Sequence, residues 1–441
     1  MRDSLVRWLL VFVLLGATAT PAGAQLEIDI TDFVGKRTPV AIVPFGWEGE
    51  GVEAPFDIDG IIGADLSRSG RFRPIPERDM LQKPIASVDI DFDDWSILAV
   101  EAVVIGKITQ TGANAYSVQF QAFDVFNRRQ LVGYRMPASR DTMRRVAHRA
   151  ADMIYEKLTG IPGVFGTKVA YVRATGREDD RNYSLVVSDM DGENQFIIME
   201  STDPIMSPAW SPDSRQLAYV SFEDDVSTIF VQTLRTGNRI KVSSRAGING
   251  APAFSPDGRK LVLTLGGLDG NLDIHVLNLR NRNLTRLTTN RSIDTEGAWS
   301  PDGQIIYFTS DRGGSPQVYR VSVDGGRPQR VTFEGSYNAR PRLSPDGKRL
   351  ALVTLDRGNY RIGVLDLDDG DLLVLSTGRQ DESPSFAPNS DSLIYATRQG
   401  RDGVLEMVSA DGLVRQRLGS GNGDIREPVW SCLLYTSPSP R

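Results

Sequence analysis

The apolar pattern of this chain changes character near residue 163. Beyond it, short runs rich in Val, Ile, Leu, Tyr and Phe recur between turn residues, as in LAYVS at 217–221, DIHVLNL at 273–279, IIYFTS at 305–310 and QVYRVSV at 317–323. Runs of this length, several alternating with period two, predict half-buried strands. A phrase punctuates them: PAWSPDS, PAFSPDG, GAWSPDG, PRLSPDG and PSFAPNS, with large apolar residues at Trp210, Phe254, Trp299, Leu343 and Phe386, and a sixth at Trp430. The separations are 44, 45, 44, 43 and 44 residues. That period belongs to four-stranded propeller blades and not to helical repeats of about 34 residues.

The letters inside the period agree. In Pro-Asp-Gly, proline fixes φ, aspartate bonds back to the backbone and glycine accepts a positive φ, so each phrase ends in a turn. Hairpin signals close the third strands at Asp191-Gly192, Thr236-Gly237, Asp324-Gly325, Asp369-Gly370 and Asp411-Gly412. The segment 168–199 reads as a unit lacking its first strand, and IREPVWS at 425–431 reads as a first strand lacking the rest. Joined, they make one blade. The expectation is a six-bladed β-propeller closed by the C-terminal strand, which removes the open sheet edges and sets Trp430 beside the segment that starts near Lys168.

Before the repeat the pattern is mixed. Strands are expected at 26–31 (LEIDIT), 38–45, around AVVIGKIT, YSVQFQAFDV and QLVGYRM, with helices over 58–72 and from RDTMRRVAHRAADMIYEKL to the stop at Gly160 and Pro162. This predicts an α/β N-terminal domain joined to the propeller through TGIPGVFGT. The first residues carry Arg2 and Arg7, an apolar run from Trp8 to Ala17 and then Ala22-Gly23-Ala24, the order of a secretory signal with an A-x-A cleavage site. The expected organisation is therefore a signal peptide at 1–24, the α/β domain at 25–162, the propeller at 163–431, and a tail at 432–441. In that tail CLLYTSPSPR breaks the repeat without a turn, so it is expected to be non-native or disordered.

Charge narrows the function. The chain carries a net −6, and removing Arg2, Asp3 and Arg7 with the signal leaves −7. Phosphate contacts need clustered Lys and Arg, so nucleic acid is not expected as a partner. No stretch after the signal is long and apolar enough to span a bilayer. Cys432 is the single cysteine, so an exported chain folds here without an internal disulfide.

Enzyme chemistry finds little support. Of the two histidines, His148 falls on the long helix and His275 in a third-strand run, both read as satisfied structural side chains. No H-E-x-x-H, G-x-S-x-G or P-loop spacing occurs. The acidic run VDIDFDDW at 88–95 lacks the glycine and glutamate of a calcium loop and reads as a solvated loop, DLDDGD at 366–371 as a hairpin turn, and Gly419, Gly421 and Gly423 as a loop without the helix a phosphate site needs. No cofactor and no metal are expected. A propeller hydrolase or lyase would need acids and histidines converging in the channel. A glycan-binding module would need aromatic rings on the mouth loops, where only Tyr337 is found.

Binding surfaces are better represented. The loops entering each first strand converge on one mouth of the ring and gather Asp203, Asn249, Asp294, Thr295, Glu296, Asn338, Arg340, Asp381, Glu382, Arg426 and Glu427. The second candidate is the segment after the cleavage point, Leu26, Glu27, Ile28, Asp29, Ile30, Thr31 and Asp32, which can add to a partner's sheet edge through its backbone or pair within its own domain.

The sequence resembles the TolB family, periplasmic components of the Tol-Pal system of Gram-negative envelopes. IVPF at 42–45, ADLSRSGRFRP at 64–74, AHRAADMIYEKLTGIPGVFGTKVAYV at 147–172 and the propeller phrases carry the resemblance, which runs from the signal to Ser431. It implies a non-enzymatic periplasmic adaptor that docks the lipoprotein Pal at the propeller mouth and presents the N-terminal segment to TolA, with the two events coupled, in support of outer-membrane integrity and constriction at division. Thr295 and Glu296 match the family's T-E position at the mouth. Ile248 departs from it, standing where enteric members carry a histidine.

Overall fold

The computed structural model describes residues 30–33, 37–52, 54–177, 180–267, 270–418 and 423–432. The signal, Leu26 to Asp29 and all of the tail after Cys432 lie outside these residues.

Residues 38–159 build a twisted sheet with helices on both faces. Its order is Phe72–Pro74, Thr38–Ile42, Ala102–Gly112, Ala115–Asp124 and Arg129–Ala138, with Gly46–Glu48 added along Ala102–Gly112. Alternation along the central strand explains the layers. Ala102, Val104 and Ile108 face helices α1 (Ile58–Arg68) and α3 (Met143–Thr159), whereas Val103 and Ile105 face the short helix α2 (Phe92–Ile97) and its buried Trp95. Asp57 caps α1 by accepting from the Gly60 N–H at 2.9 Å, and Gly160, at φ 76°, ends α3 in the left-handed conformation that glycine tolerates best. The acidic run at 88–95, expected as a solvated loop, instead begins α2: Asp91 accepts from the Asp93 N–H and starts the turn that buries Trp95.

Residues 168–430 form the expected six-bladed propeller. Blade 1 is the split one, Lys168–Arg177, Asp180–Asp189 and Phe196–Ser201 completed by Asp424–Trp430, with Trp430 opposite Val169. Blades 2 to 6 open with Ile205–Trp210, Asn249–Phe254, Asp294–Trp299, Asn338–Leu343 and Glu382–Phe386. The repeated serine and aspartate make the turns of blades 2 to 5 alike: Ser255 Oγ and Asp257 Oδ1 accept from the Lys260 and Arg259 N–H groups at 2.9 and 3.0 Å, and Ser211, Ser300 and Ser344 do the same with their own neighbours. The tryptophans tie blade to blade. The Trp210 indole donates to the Val429 carbonyl at 3.0 Å and that of Trp299 to the Ala253 carbonyl at 3.1 Å. Trp430 closes the ring, its backbone N–H on Ser385 Oγ at 3.0 Å and its indole on Thr167 Oγ1 at 2.7 Å.

One strand crosses between the two parts. Ile30–Phe33 does not join the sheet of residues 38–138 but adds antiparallel to Val414–Leu418 as a fifth strand of blade 6, pairing Ile30, Asp32 and Phe33 with Gln416, Arg415 and Val414 across a register shift. A continuous apolar core also joins the parts, running from Ile62 and Ala151 to Tyr171, Ile394 and Trp430.

Candidate functional site: the propeller mouth

Every first strand carries the same irregularity. Three positions before its large apolar residue the backbone is left-handed, at Ser207, Ala251, Glu296, Arg340, Ser383 and Glu427, with φ between 44° and 59°, and the register with the second strand shifts there. These are β-bulges, a place usually given to glycine, yet none of the six is glycine. Five are followed by proline, which brings no N–H that the broken ladder would strand. The bulges surround the channel and aim Glu296, Arg340 and Glu427 into it.

These three charges form one network. Glu296 Oε1 accepts from Arg340 Nε at 2.8 Å, Glu296 Oε2 accepts from the Arg340 N–H at 3.0 Å and from Thr309 Oγ1 at 2.9 Å, and Glu427 lies 3.9 Å from the guanidinium while accepting from the Ser207 N–H. Burial opposes charge on Arg340, but Glu296 and Glu427 outweigh it and hold the guanidinium above its ordinary range; burial pushes the Glu427 carboxyl up. The network bounds an inner cavity of about 50 Å³ that also touches Arg342 and Ser383.

Above it opens a cavity of about 440 Å³ between blades 4, 5, 6 and 1. The structure brings five of the expected residues to its wall, Glu296, Arg340, Asp381, Glu382 and Arg426, and Glu427 lies just below. Others are placed differently. Asn249, Asp294 and Asn338 are fully buried at the entry of their strands. Asn249 Oδ1 accepts from Ser243 Oγ at 2.6 Å and Asn338 donates to Gln317 Oε1 at 3.0 Å, each fastening its entering loop to the blade before it, whereas Asp294 takes both oxygens to Arg312 of its own blade at 2.9 and 2.7 Å. Asp381, also buried, accepts from Ser376 and Thr397; burial raises its carboxyl above the ordinary range despite these bonds. Asp203 and Thr295 are partly exposed, Thr295 Oγ1 lying 3.3 Å from Thr264 Oγ1. Of the N-terminal candidates, Ile30, Thr31 and Asp32 lie in the strand docked on blade 6, and Leu26, Glu27, Ile28 and Asp29 are outside the described residues.

Sequence reasoning missed Tyr360 and Arg398 on the cavity wall. Tyr360 packs edge-on against Tyr337 with ring centroids 5.1 Å apart and stays 41% exposed. It is the second residue of the third strand of blade 5, just past the turn at Arg357-Gly358, and the signal available was only its place beside Gly358 and Asn359. Exposed Met206, Ile248 and Ile293 give the opposite side of the mouth an apolar character. Neither histidine reaches the channel: His148 lies between the two parts of the chain, and His275 accompanies Arg245 and Arg286 at the rim of blade 3. The cavity wall is thus lined by acids and arginines, with no imidazole among its described residues.

The fold and this mouth define a class: a closed six-bladed propeller carrying an N-terminal α/β domain and a mixed-charge mouth. Residues 26–131 match the family described as "TolB amino-terminal domain", and residues 155–434 that described as "TolB beta propeller domain". The chain is 46% identical over 429 residues to the Tol-Pal system protein TolB of Xanthomonas oryzae pv. oryzae, covering 96% of this chain and 98% of that protein, and is equally similar to that of Xanthomonas campestris pv. campestris. A crystal structure of TolB from Acinetobacter baumannii superposes with a TM-score of 0.85 at 41% identity, covering 93% of this chain and all of that one. The chain belongs to the TolB family, a non-enzymatic component of the Tol-Pal system. Among the described residues no helix is long and apolar enough to cross a membrane.

Proposed function

We propose that the chain is a periplasmic adaptor that holds the lipoprotein Pal in the propeller mouth and engages TolA through the segment after residue 25, supporting outer-membrane integrity and envelope constriction at division. The observation that carries this reading is the convergence of Glu296, Arg340, Asp381, Glu382 and Arg426, from strands far apart in sequence, around one open cavity. Such a surface, charged within and flanked by Tyr337, Tyr360, Ile248 and Ile293, suits a folded protein partner with an anchor residue and a polar rim. The strand Ile30–Phe33 supports the second half. It is held by three paired positions with an interrupted register, so its backbone can exchange one sheet edge for another. Coupling follows if Pal changes how firmly blade 6 holds that strand.

Pull-down of the soluble part of Pal by variants Thr295→Arg, Glu382→Arg and Tyr360→Ala tests the mouth. Loss of about 2 kcal/mol or more, roughly thirtyfold in affinity, is expected for at least one of them. Unchanged capture by all three removes the site.

A further inference from the structure

The seam between the α/β part and the propeller buries an ion cluster that takes no part in the mouth. His148 of α3 is 3% exposed, with Nδ1 2.7 Å from Asp65 Oδ2 of α1 and Nε2 3.7 Å from Asp191 Oδ2 in the turn between Asp180–Asp189 and Phe196–Ser201 of blade 1. Arg68 of α1 bonds Asp65 and lies 3.5 Å from Asp191; Arg144 of α3 bonds Asp191 and lies 3.5 Å from His148 Nε2. Beside them Lys168 pairs with Asp189 at 2.6 Å, a pair already in balance. Two carboxylates thus meet two guanidiniums, and the imidazole decides the remaining charge. The three potential ligand atoms of Asp65, His148 and Asp191 lie within 4.8 Å of one another, but Arg68 and Arg144 already direct positive charge at both carboxylates, so the cluster admits a proton rather than a metal cation.

We propose that this seam is a proton-operated latch: protonated His148 bridges Asp65 and Asp191 and closes the two parts on each other, and neutral His148 loosens them. The neutral ring donates from Nδ1 to Asp65 and turns a lone pair toward Asp191; the protonated ring keeps that bond and adds an ion pair with Asp191 at 3.7 Å. One helical turn on, Asp152 reinforces the effect. Its carboxylate accepts from the Phe165 N–H at 2.7 Å and the Gly166 N–H at 3.1 Å, both in the connecting segment, and a Cβ at Gly163 would sit 2.4 Å from the Asp152 Cα. Burial opposes a charged His148, but Asp65 and Asp191 hold it above its ordinary 6.5; burial pushes the Asp152 carboxyl from 3.8 up to about 7. Both groups therefore keep a proton in the closed seam that water would remove. Closure is fully favoured below the ordinary values, 3.8 for Asp152 and 6.5 for His148, and weakens as pH rises above them, up to about 7 for Asp152 and from 6.5 upward for His148.

With only two histidines in the chain, histidine-selective NMR of the full-length protein, assigned with His275→Gln, reads the latch directly. His148 is expected to titrate above the ordinary histidine value and His275 below it, since burial lowers the latter. Hydrogen exchange of residues 160–167, corrected for its intrinsic pH dependence, should rise about tenfold in the opening equilibrium for each unit separating the closed and open midpoints, and this excess should shrink in His148→Gln. A His148 midpoint at or below the ordinary value, or an undiminished excess in His148→Gln, overturns the proposal. If that variant does not fold, the wild-type titration alone decides.

Discussion

The Arg340 guanidinium in blade 5 binds the Glu296 carboxylate in blade 4 at 2.8 Å, and both residues stand in left-handed backbone at the same bulge of their strands. The contact links neighbouring blades across the channel and leaves Arg340 close enough to offset Glu427 as well. Arg340→Ala strands two acids and should cost roughly 2–3 kcal/mol in urea unfolding, below the figure for a fully buried pair because the guanidinium retains some exposure. Without Arg340, Glu427 rises further above its ordinary 4.5, and the stability its bound proton confers is lost as pH rises. The variant should therefore suffer more at pH about 8 than at about 5.

Ring closure rests on the last strand. Trp430 is 4% exposed, reaches blade 6 through Ser385 and holds Thr167 through its indole. Trp430→Ala should lower stability by about 3–5 kcal/mol and leave the Thr167 hydroxyl without this partner. Equilibrium unfolding measures this, and an effect under about 1 kcal/mol would show that the ring holds without the strand.

The turn after each first strand needs positive φ. Gly258, Gly303 and Gly347 supply it at 70° to 75°, and Ser214 takes the same place at φ 54°. Ser214→Gly should stabilise by about 0.5–1 kcal/mol, the left-handed penalty less the extra chain entropy of glycine, whereas Gly258→Ala should destabilise by about 1–2 kcal/mol. Thermal unfolding separates the two signs.

Asp152 titrates at about 7 because burial disfavours its charge. Its contribution to stability is full below 3.8 and falls as pH rises to about 7. Asp152→Asn keeps one acceptor for the Phe165 and Gly166 N–H groups and cannot ionise, so its unfolding free energy should fall less steeply between these limits than that of the wild type. Parallel pH profiles would contradict the assignment.

The period of Trp210, Phe254, Trp299, Leu343, Phe386 and Trp430 made the blade count legible, and the incomplete first and last units made the closure legible. The convergence of Glu296, Arg340, Glu382 and Arg426 followed from the same register. Other features left no local signal. Alternation marks 26–31 as a strand but cannot name the edge it pairs with, which for the described Ile30–Phe33 is that of blade 6. The bulge ring is occupied by Ser, Ala, Glu and Arg, so no glycine announces it. Asn249, Asp294 and Asn338 read as polar loop residues because their burial, and the partners in the preceding or the same blade that satisfy them, are invisible in one strand. The seam brings Asp65, His148 and Asp191 from three elements whose spacing forms no motif.

The account turns on two separate surfaces, the mouth for Pal and the N-terminal segment for TolA. Calorimetric titration of the soluble parts of both partners into the intact chain and into one lacking residues 25–33 tests this most directly. Loss of TolA binding with Pal binding retained or strengthened is the predicted result. A truncated chain that still binds TolA, or one that loses Pal along with it, would contradict the account.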